Sequence, residues 1–348
     1  MGRKKKQNCE TTVSGTDRQT DRLIDRRTSR MASISDAMET NCSFDEVDHL
    51  MTSLELVIYV PIFVFGLILN ILALVVFCIF LRKWSESTIY MTNLALMDLL
   101  LLLLLPFKMH ATNHQWAAHH RFLCSLLESL YFVGMYGSIY TIACIAVDRW
   151  VAICHPFRAK QLRSPRAALW TCILVWVVVL GGISPIYGFR KEETGSFHCF
   201  HTFSKEGWHP KVIGCLLSFG FVGPALVLVV CSAQSIRTLR QSGQESPKSR
   251  SCVKIIYSSL CAFLVPFTPS HLGILLQFLV HQRLIEDCLA KTRISLYIQV
   301  TMSLANITCC LDALCYYFIT TEVRSSKQTF TFRRSMSQKR ATTSTSEL

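Results

Sequence analysis

Charge is scarce in this 348-residue chain: Asp, Glu, Lys and Arg together make 17% of it, where soluble domains average roughly a quarter. Hydrophobic residues make up 51%. This balance excludes a disordered chain and argues against an ordinary soluble enzyme. Enzyme motifs are missing as well. There is no His-Glu-x-x-His, no Gly-x-Ser-x-Gly and no paired metal motif at membrane depth. The apolar runs do not alternate with polar residues (Leu99–Pro106 is continuous), which excludes a β-barrel. The two halves lack the matching Gly/Pro-broken segments of a small transporter. The first thirty residues lack an apolar segment, so no cleavable signal peptide is expected, and the first apolar run is expected to act as a signal anchor. The formal net charge of +13 does not imply nucleic acid, because residues 1–30 alone hold nine basic and four acidic residues and the rest sits in short polar gaps.

What remains is apolar sequence in long pieces. Seven stretches stand out: Leu54–Leu81, Ile89–Met109, Leu123–Ile153, Ala168–Ile186, Val212–Ser235, Ile255–Val280 and Ile294–Ile319. Each reaches the roughly 20 residues that carry a helix across a hydrocarbon core. Lipid offers backbone groups no partners, so a non-barrel chain must cross as helices. The expected fold is an all-α membrane protein, a seven-transmembrane-helix bundle with a short juxtamembrane cytoplasmic helix. Its expected divisions are an N-terminal tail over residues 1–52, the bundle over 53–322 and a cytoplasmic tail over 323–348. Gaps after spans one, three and five, together with the tail, hold twice as many Lys and Arg as the opposite gaps once residues 1–40 are set aside. The positive-inside rule then puts the C-terminus in the cytoplasm and the N-terminus outside. Residues 16–27 form a degenerate four-residue polar repeat, which buries no core and is expected to be disordered. Met31 or Met38 offers an alternative start, so residues 1–37 carry little functional weight.

Of 16 cysteines, most lie inside spans and act as small apolar residues. Five fall on the outer side: Cys9, Cys42, Cys124, Cys199 and Cys288. Outside the cell they can pair. Setting Cys9 aside, four cysteines allow three pairings. Cys124 with Cys199 would pin the loop between spans four and five over the bundle mouth; Cys42 with Cys288 would join the N-terminal tail to the last outer loop. Asn41-Cys42-Ser43 is a glycosylation sequon on the outer side, whereas Asn306-Ile307-Thr308 lies within a span and is expected to stay unmodified.

Charged groups at membrane depth are costly, and each is a functional candidate. Asp98 falls mid-span two, Asp312 low in span seven, and Asp148 and Arg149 end span three. Lys108 tops span two, about 15 Å outward of Asp98 at ~1.5 Å per residue. Span three carries a stripe at helical spacing through Cys124, Glu128, Tyr131, Met135, Ser138, Ile142, Ile145 and Arg149. That stripe runs about 37 Å, from one membrane face to the other.

These residues, in this order on seven spans, resemble the rhodopsin-like (class A) G-protein-coupled receptors over about residues 41–325. The resemblance rests on Gly66-Leu67-Ile68-Leu69-Asn70, Asn93-Leu94-Ala95-Leu96-Met97-Asp98, Cys124, Asp148-Arg149-Trp150, Trp176, Pro185, Pro224, Pro266-Phe267-Thr268-Pro269 and Leu311-Asp312-Ala313-Leu314-Cys315-Tyr316. A narrower set is similar to the lysophosphatidylinositol- and cannabinoid-responsive branch. It comprises Leu105-Pro106-Phe107-Lys108-Met109, Leu130-Tyr131-Phe132-Val133, Met135-Tyr136-Gly137-Ser138, Leu162-Arg163-Ser164-Pro165-Arg166, Cys199-Phe200-His201, His271-Leu272-Gly273 and Cys309-Cys310-Leu311-Asp312. This branch implies a lysophospholipid agonist and Rho-activating heterotrimeric G proteins. It implies no enzymatic activity.

On that basis Lys108 is expected to meet a ligand phosphate; the alternatives are that it pairs with Glu128 or snorkels outward. An apolar trough for the acyl chain is expected from Phe107, Tyr131, Met135, Phe267, Ile274 and Phe278, with His271 as a hydrogen-bond partner or an interhelical tie. Asp98, Ser138 and Asp312 are expected to suit a sodium ion, or one of the two carboxylates holds a proton; no other cofactor is expected. The expected activation switch comprises Asp98, Ser138, Ile139, Asp148, Arg149, Pro224, Phe263, Phe267, Pro269, Asp312 and Tyr316, with Asp148 and Arg149 satisfying each other at rest. The chain departs from the class at Phe267 (usually Trp), Ala313 (Pro), Ser232 (Tyr) and Ser249 (acidic), so a latch between Arg149 and span six is not expected and basal activity is. Thr342-Thr343-Ser344-Thr345-Ser346 would become strongly anionic on phosphorylation by receptor kinases and be read by arrestin-type partners. Ser346-Glu347-Leu348 weakly fits a PDZ-binding terminus.

Overall fold

The computed structural model describes residues 44–81, 84–188, 197, 199–200, 207–241 and 247–314. The chain divides into two compact units, Met1–Glu46 and Val47–Leu348, and the second carries everything below. Among the described residues, seven helices are long and apolar enough to cross a membrane: Val47–Ile79, Glu86–Ala111, Ala118–Cys154, Pro165–Pro185, Pro210–Gln241, Ser249–His281 and Cys288–Leu314. They are called spans one to seven. Each of the seven expected stretches overlaps one of these helices, several of which start earlier, in polar sequence; residues 315–319 of the last stretch lie outside the described residues. Span one's helix starts at Asp45 rather than near residue 53, because backbone hydrogen bonding does not stop where lipid does. Cys315, Tyr316, the expected juxtamembrane helix, the tail motifs, Asn41 and Cys42 lie outside the described residues.

Helix ends follow local chemistry. Ser85 caps span two, its hydroxyl accepting from Thr88 N–H at 3.3 Å, and Asp287 caps span seven by accepting from Ala290 N–H at 2.9 Å. Span five widens to a π-helix over Leu216–Val222 directly before Pro224. Proline has no N–H, and the slack that this leaves is taken up by Gly223 N–H bonding back to Ser218 C=O. Inside span five, Gly220 faces span three: a Cβ there would stand 2.8 Å from the Tyr136 ring. Spans two and three approach through Gly134, where a Cβ would meet the Met97 carbonyl and the Leu101 backbone nitrogen at 3.3 Å each.

Buried polar side chains tie the bundle together. Asn70 donates to the Gly66 carbonyl and to the Cys309 carbonyl, both at 2.9 Å, joining spans one and seven. Asn93 donates to Thr141 Oγ1 at 2.9 Å and accepts from Trp176 Nε1 at 2.9 Å, joining spans two, three and four. Buried in hydrocarbon, each such group is expensive unless paired, so these contacts fix one helix arrangement. Asn306 is 2% exposed and its side chain is spent on the Met302 and Ser303 carbonyls, which leaves that sequon no room for a glycan.

Candidate functional site

One end of the bundle is closed by the Cys124–Cys199 disulfide, one of the expected pairings; for the other, Cys42 lies outside the described residues. Beside it Trp116 and Phe197 form an antiparallel backbone bridge with N···O distances of 2.8 and 3.0 Å. The two links hold the described part of the loop after span four against span three and the loop before it.

Lys108 sits below this cover. Its Nζ lies 4.6 Å from the centre of the Tyr131 ring and 5.3 Å from that of Tyr59. Both tyrosines are fully buried and pinned: Tyr59 shares a 2.8 Å hydrogen bond with Ser303, and Tyr131 donates to Asn306 Oδ1 at 3.1 Å. A cation held over two fixed aromatic faces is compensated in part by their quadrupoles. Buried Glu55 adds Coulombic attraction. Tyr59 and Glu55 escape the sequence reading because the turn that bears them borders the polar end of span one, whose spacing carries no signal of span two.

The structure reassigns Glu128. Its carboxylate accepts from the Phe200 N–H at 2.7 Å, next to the disulfide, so it anchors the loop. Phe107, 46% exposed, lies on the outer surface of the bundle and lines no trough. Phe278 packs against a separate, smaller cluster of Trp208, Ile213 and Ile274.

Of the remaining expected contacts, Tyr131, His271 and Phe267 lie on a continuous file of rings. Phe200 meets Tyr131 (centroids 6.1 Å apart), Tyr131 meets Phe132 (5.7 Å), and Phe132 meets Tyr136 (6.5 Å). Tyr136 then meets His271 (6.0 Å), which stacks on Phe221 at 4.2 Å. His271 also touches Phe267 (6.3 Å), and Phe267 touches Phe263 (5.2 Å). Met135, Ile139, Phe263 and Phe267 are each at most 2% exposed. His271 Nδ1 bonds the Phe267 carbonyl at 2.8 Å; a carbonyl only accepts, so Nδ1 carries the proton. Pro269 lies inside span six, two residues beyond Phe267.

Mid-bundle, Ser138 donates to Asp98 Oδ1 at 3.1 Å. Asp98 and Asp312 are 0% and 6% exposed, and each keeps one carboxylate oxygen without a hydrogen-bond partner. Two carboxylates and a hydroxyl form a hard oxygen donor set, which fits a small cation such as sodium.

At the far end Asp148 has a partner that the sequence reading did not name. Arg163 grips both oxygens of Asp148 through Nε at 2.7 Å and Nη2 at 2.8 Å, and reaches Glu86 at 4.0 Å. Its hydrogen bond to Asp148 raises its already high pKa, so it stays charged. Arg163 starts the approach to span four, fifteen residues along, and helical spacing on span three gives no sign of it. Arg149 lines a small cavity with Ser232 and Ser235 of span five and Ile256 and Ser259 of span six.

This is the build of a membrane receptor: a covered mouth, a file of buried rings and an arginine at the far end. The chain belongs to the 7 transmembrane receptor (rhodopsin family), whose family model matches residues 69–316. It is 43% identical to G-protein coupled receptor 55 of Homo sapiens over 82% of this chain and 90% of that protein. It is 35% identical to G-protein coupled receptor 35 of Homo sapiens over 74% of this chain and 81% of that one. With lysophosphatidic acid receptor 6 of Gallus gallus the identity is 32%, over 81% and 94%. The chain is therefore a multi-pass membrane protein and a receptor rather than an enzyme.

Proposed function

We propose that the chain senses an anionic lysophospholipid, most simply lysophosphatidylinositol, at the plasma membrane with its N-terminus and disulfide end outside, and activates heterotrimeric G proteins of the Rho-activating class. The observation that carries this reading is the Lys108 ammonium between Tyr59 and Tyr131 beneath the covered mouth. A phosphate entering there gains a charge-assisted contact in a low-dielectric setting. Relatives named as lysophosphatidic acid receptors support a phosphate-bearing lipid, and the disulfide supports an oxidising exterior at that end.

The agonist works only through its differential affinity for two states of the bundle. Headgroup binding at Lys108 and Tyr131 loads the first rings of the file, and displacement of Phe267 and Phe263 about Pro269 and Pro224 opens the far end. Arg149, already facing spans five and six, then receives the G-protein. A sodium ion between Asp98, Ser138 and Asp312 would favour the resting state by neutralising their charge.

The test compares Rho-pathway activation by lysophosphatidylinositol in wild type and Lys108→Ala at matched surface expression. Loss of potency of about tenfold or more is expected, as for a lost charge-assisted bond. Equal potency overturns the Lys108 assignment, and silence of the wild type overturns the ligand class in favour of another small anionic ligand.

A further inference from the structure

Four histidines lie where span two ends and span three begins, and nothing in the signalling scheme uses them. His110 lies in the last turn of span two and His114 is the residue that ends that helix, with extended backbone angles of −133° and 134°. Their rings stand 4.5 Å apart and nearly parallel, at 8°. His114 Nδ1 lies 3.2 Å from the His110 carbonyl. A carbonyl accepts only, so Nδ1 of His114 is the donor, and its Nε2 keeps a free lone pair. Ligating histidines are commonly prepared this way: one ring nitrogen donates to a backbone carbonyl and the other is aimed at the metal. Both rings are exposed, so turning them to bring their lone pairs together costs little packing.

We propose that His110 and His114 chelate a divalent transition-metal ion of the zinc type at the mouth of the receptor. Two imidazoles four residues apart at a helix end suit zinc, copper or nickel, and their nitrogen donors select against magnesium and calcium. Water completes the coordination. The ring of Trp116 sits 6.1 Å from that of His110, and the Trp116 backbone is the one bridged to Phe197. An ion here would fasten the last turn of span two, two residues beyond Lys108, to the first residue after it, beside Trp116. His119 and His120, on the other side of Trp116, are neighbours and not ligands in this site.

The test is calorimetric titration of the full chain in lipid nanodiscs at pH 7.5 with zinc chloride, and with magnesium chloride for comparison. Wild type is expected to bind zinc and not magnesium. His110→Ala and His114→Ala are each expected to weaken zinc by about tenfold or more. His114→Gln, whose amide can still donate to the His110 carbonyl, is expected to weaken it as much, which separates ligation from capping. His119→Ala/His120→Ala is expected to stay within about twofold of wild type. Unchanged melting temperatures keep folding out of the comparison. No zinc heat up to about 1 mM overturns the proposal. So does zinc binding that survives His110→Ala/His114→Ala, or that is lost only with His119 and His120.

Discussion

Arg163 holds Asp148 by both carboxylate oxygens, at 2.7 and 2.8 Å, across fifteen residues of chain. Asp148 precedes Arg149, so whatever claims its carboxylate sets how strongly Arg149 is restrained. With both oxygens committed to Arg163, the carboxylate is not available to lock Arg149 through a second two-pronged contact. Arg163→Ala releases it. Basal and agonist-evoked nucleotide exchange should both fall by about twofold to fivefold, equivalent to ~0.5–1 kcal/mol, as Asp148 turns to Arg149. A rise in basal exchange at equal surface expression would show that the Arg163 pair restrains the resting state instead.

Glu55 has the opposite sense at the other end of the bundle. It adds negative charge beside Lys108, where the proposed agonist brings its phosphate. Glu55→Gln keeps the shape and removes the repulsion. Lysophosphatidylinositol potency should rise about fivefold, equivalent to ~1 kcal/mol. An analogue of the lipid without the phosphate checks the cause, since its potency should not change with Glu55→Gln. A fall in potency would mean that Glu55 instead holds Lys108 in its binding position.

These two residues show where the sequence is readable and where it is not. The spans and the stripe down span three follow from hydrophobic length and helical spacing, which are local properties; oxidising geography marks Cys124 and Cys199 as able to pair but leaves three pairings open, and the fold chooses between them. Partners across helices are not local. Arg163 meets Asp148 because a loop folds back, and Tyr59 meets Lys108 because span one leans on span two. Phe107 looks like its neighbour Lys108 in sequence, yet one residue is a 100° turn on a helix, and it points away from the bundle. Glu128 falls on the right face of span three but is taken by the Phe200 backbone, a contact that no side-chain pattern announces.

Packing between spans two and three makes a prediction about stability. A Cβ at Gly137 would run into the Met97 side chain, and Met97 is itself fully buried. Gly137→Ala should cost about 1–3 kcal/mol, the usual penalty of overpacking, and lower the melting temperature in detergent. In a Met97→Ala background, itself destabilised by its cavity, the further cost of Gly137→Ala should shrink, because the obstruction is a side chain and not backbone. An unchanged cost of Gly137→Ala in that background would place the strain elsewhere.

The last prediction separates two states of the Asp98–Asp312 pair. Both carboxylates are buried and each keeps an unpaired oxygen. In so low a dielectric two negative charges do not persist without a cation or a proton between them. If sodium is the occupant and favours the resting state, replacing choline chloride by sodium chloride at constant ionic strength should weaken agonist binding to wild type by about fivefold or more, the lower end of ordinary coupling between sites. Asp98→Asn and Asp312→Asn should each abolish that dependence, because one carboxylate with neutral neighbours no longer repays the dehydration of the ion. Binding that ignores sodium in the wild type would leave a shared proton as the occupant. In that case the same variants should leave the sodium response flat and change only the pH at which agonist affinity shifts.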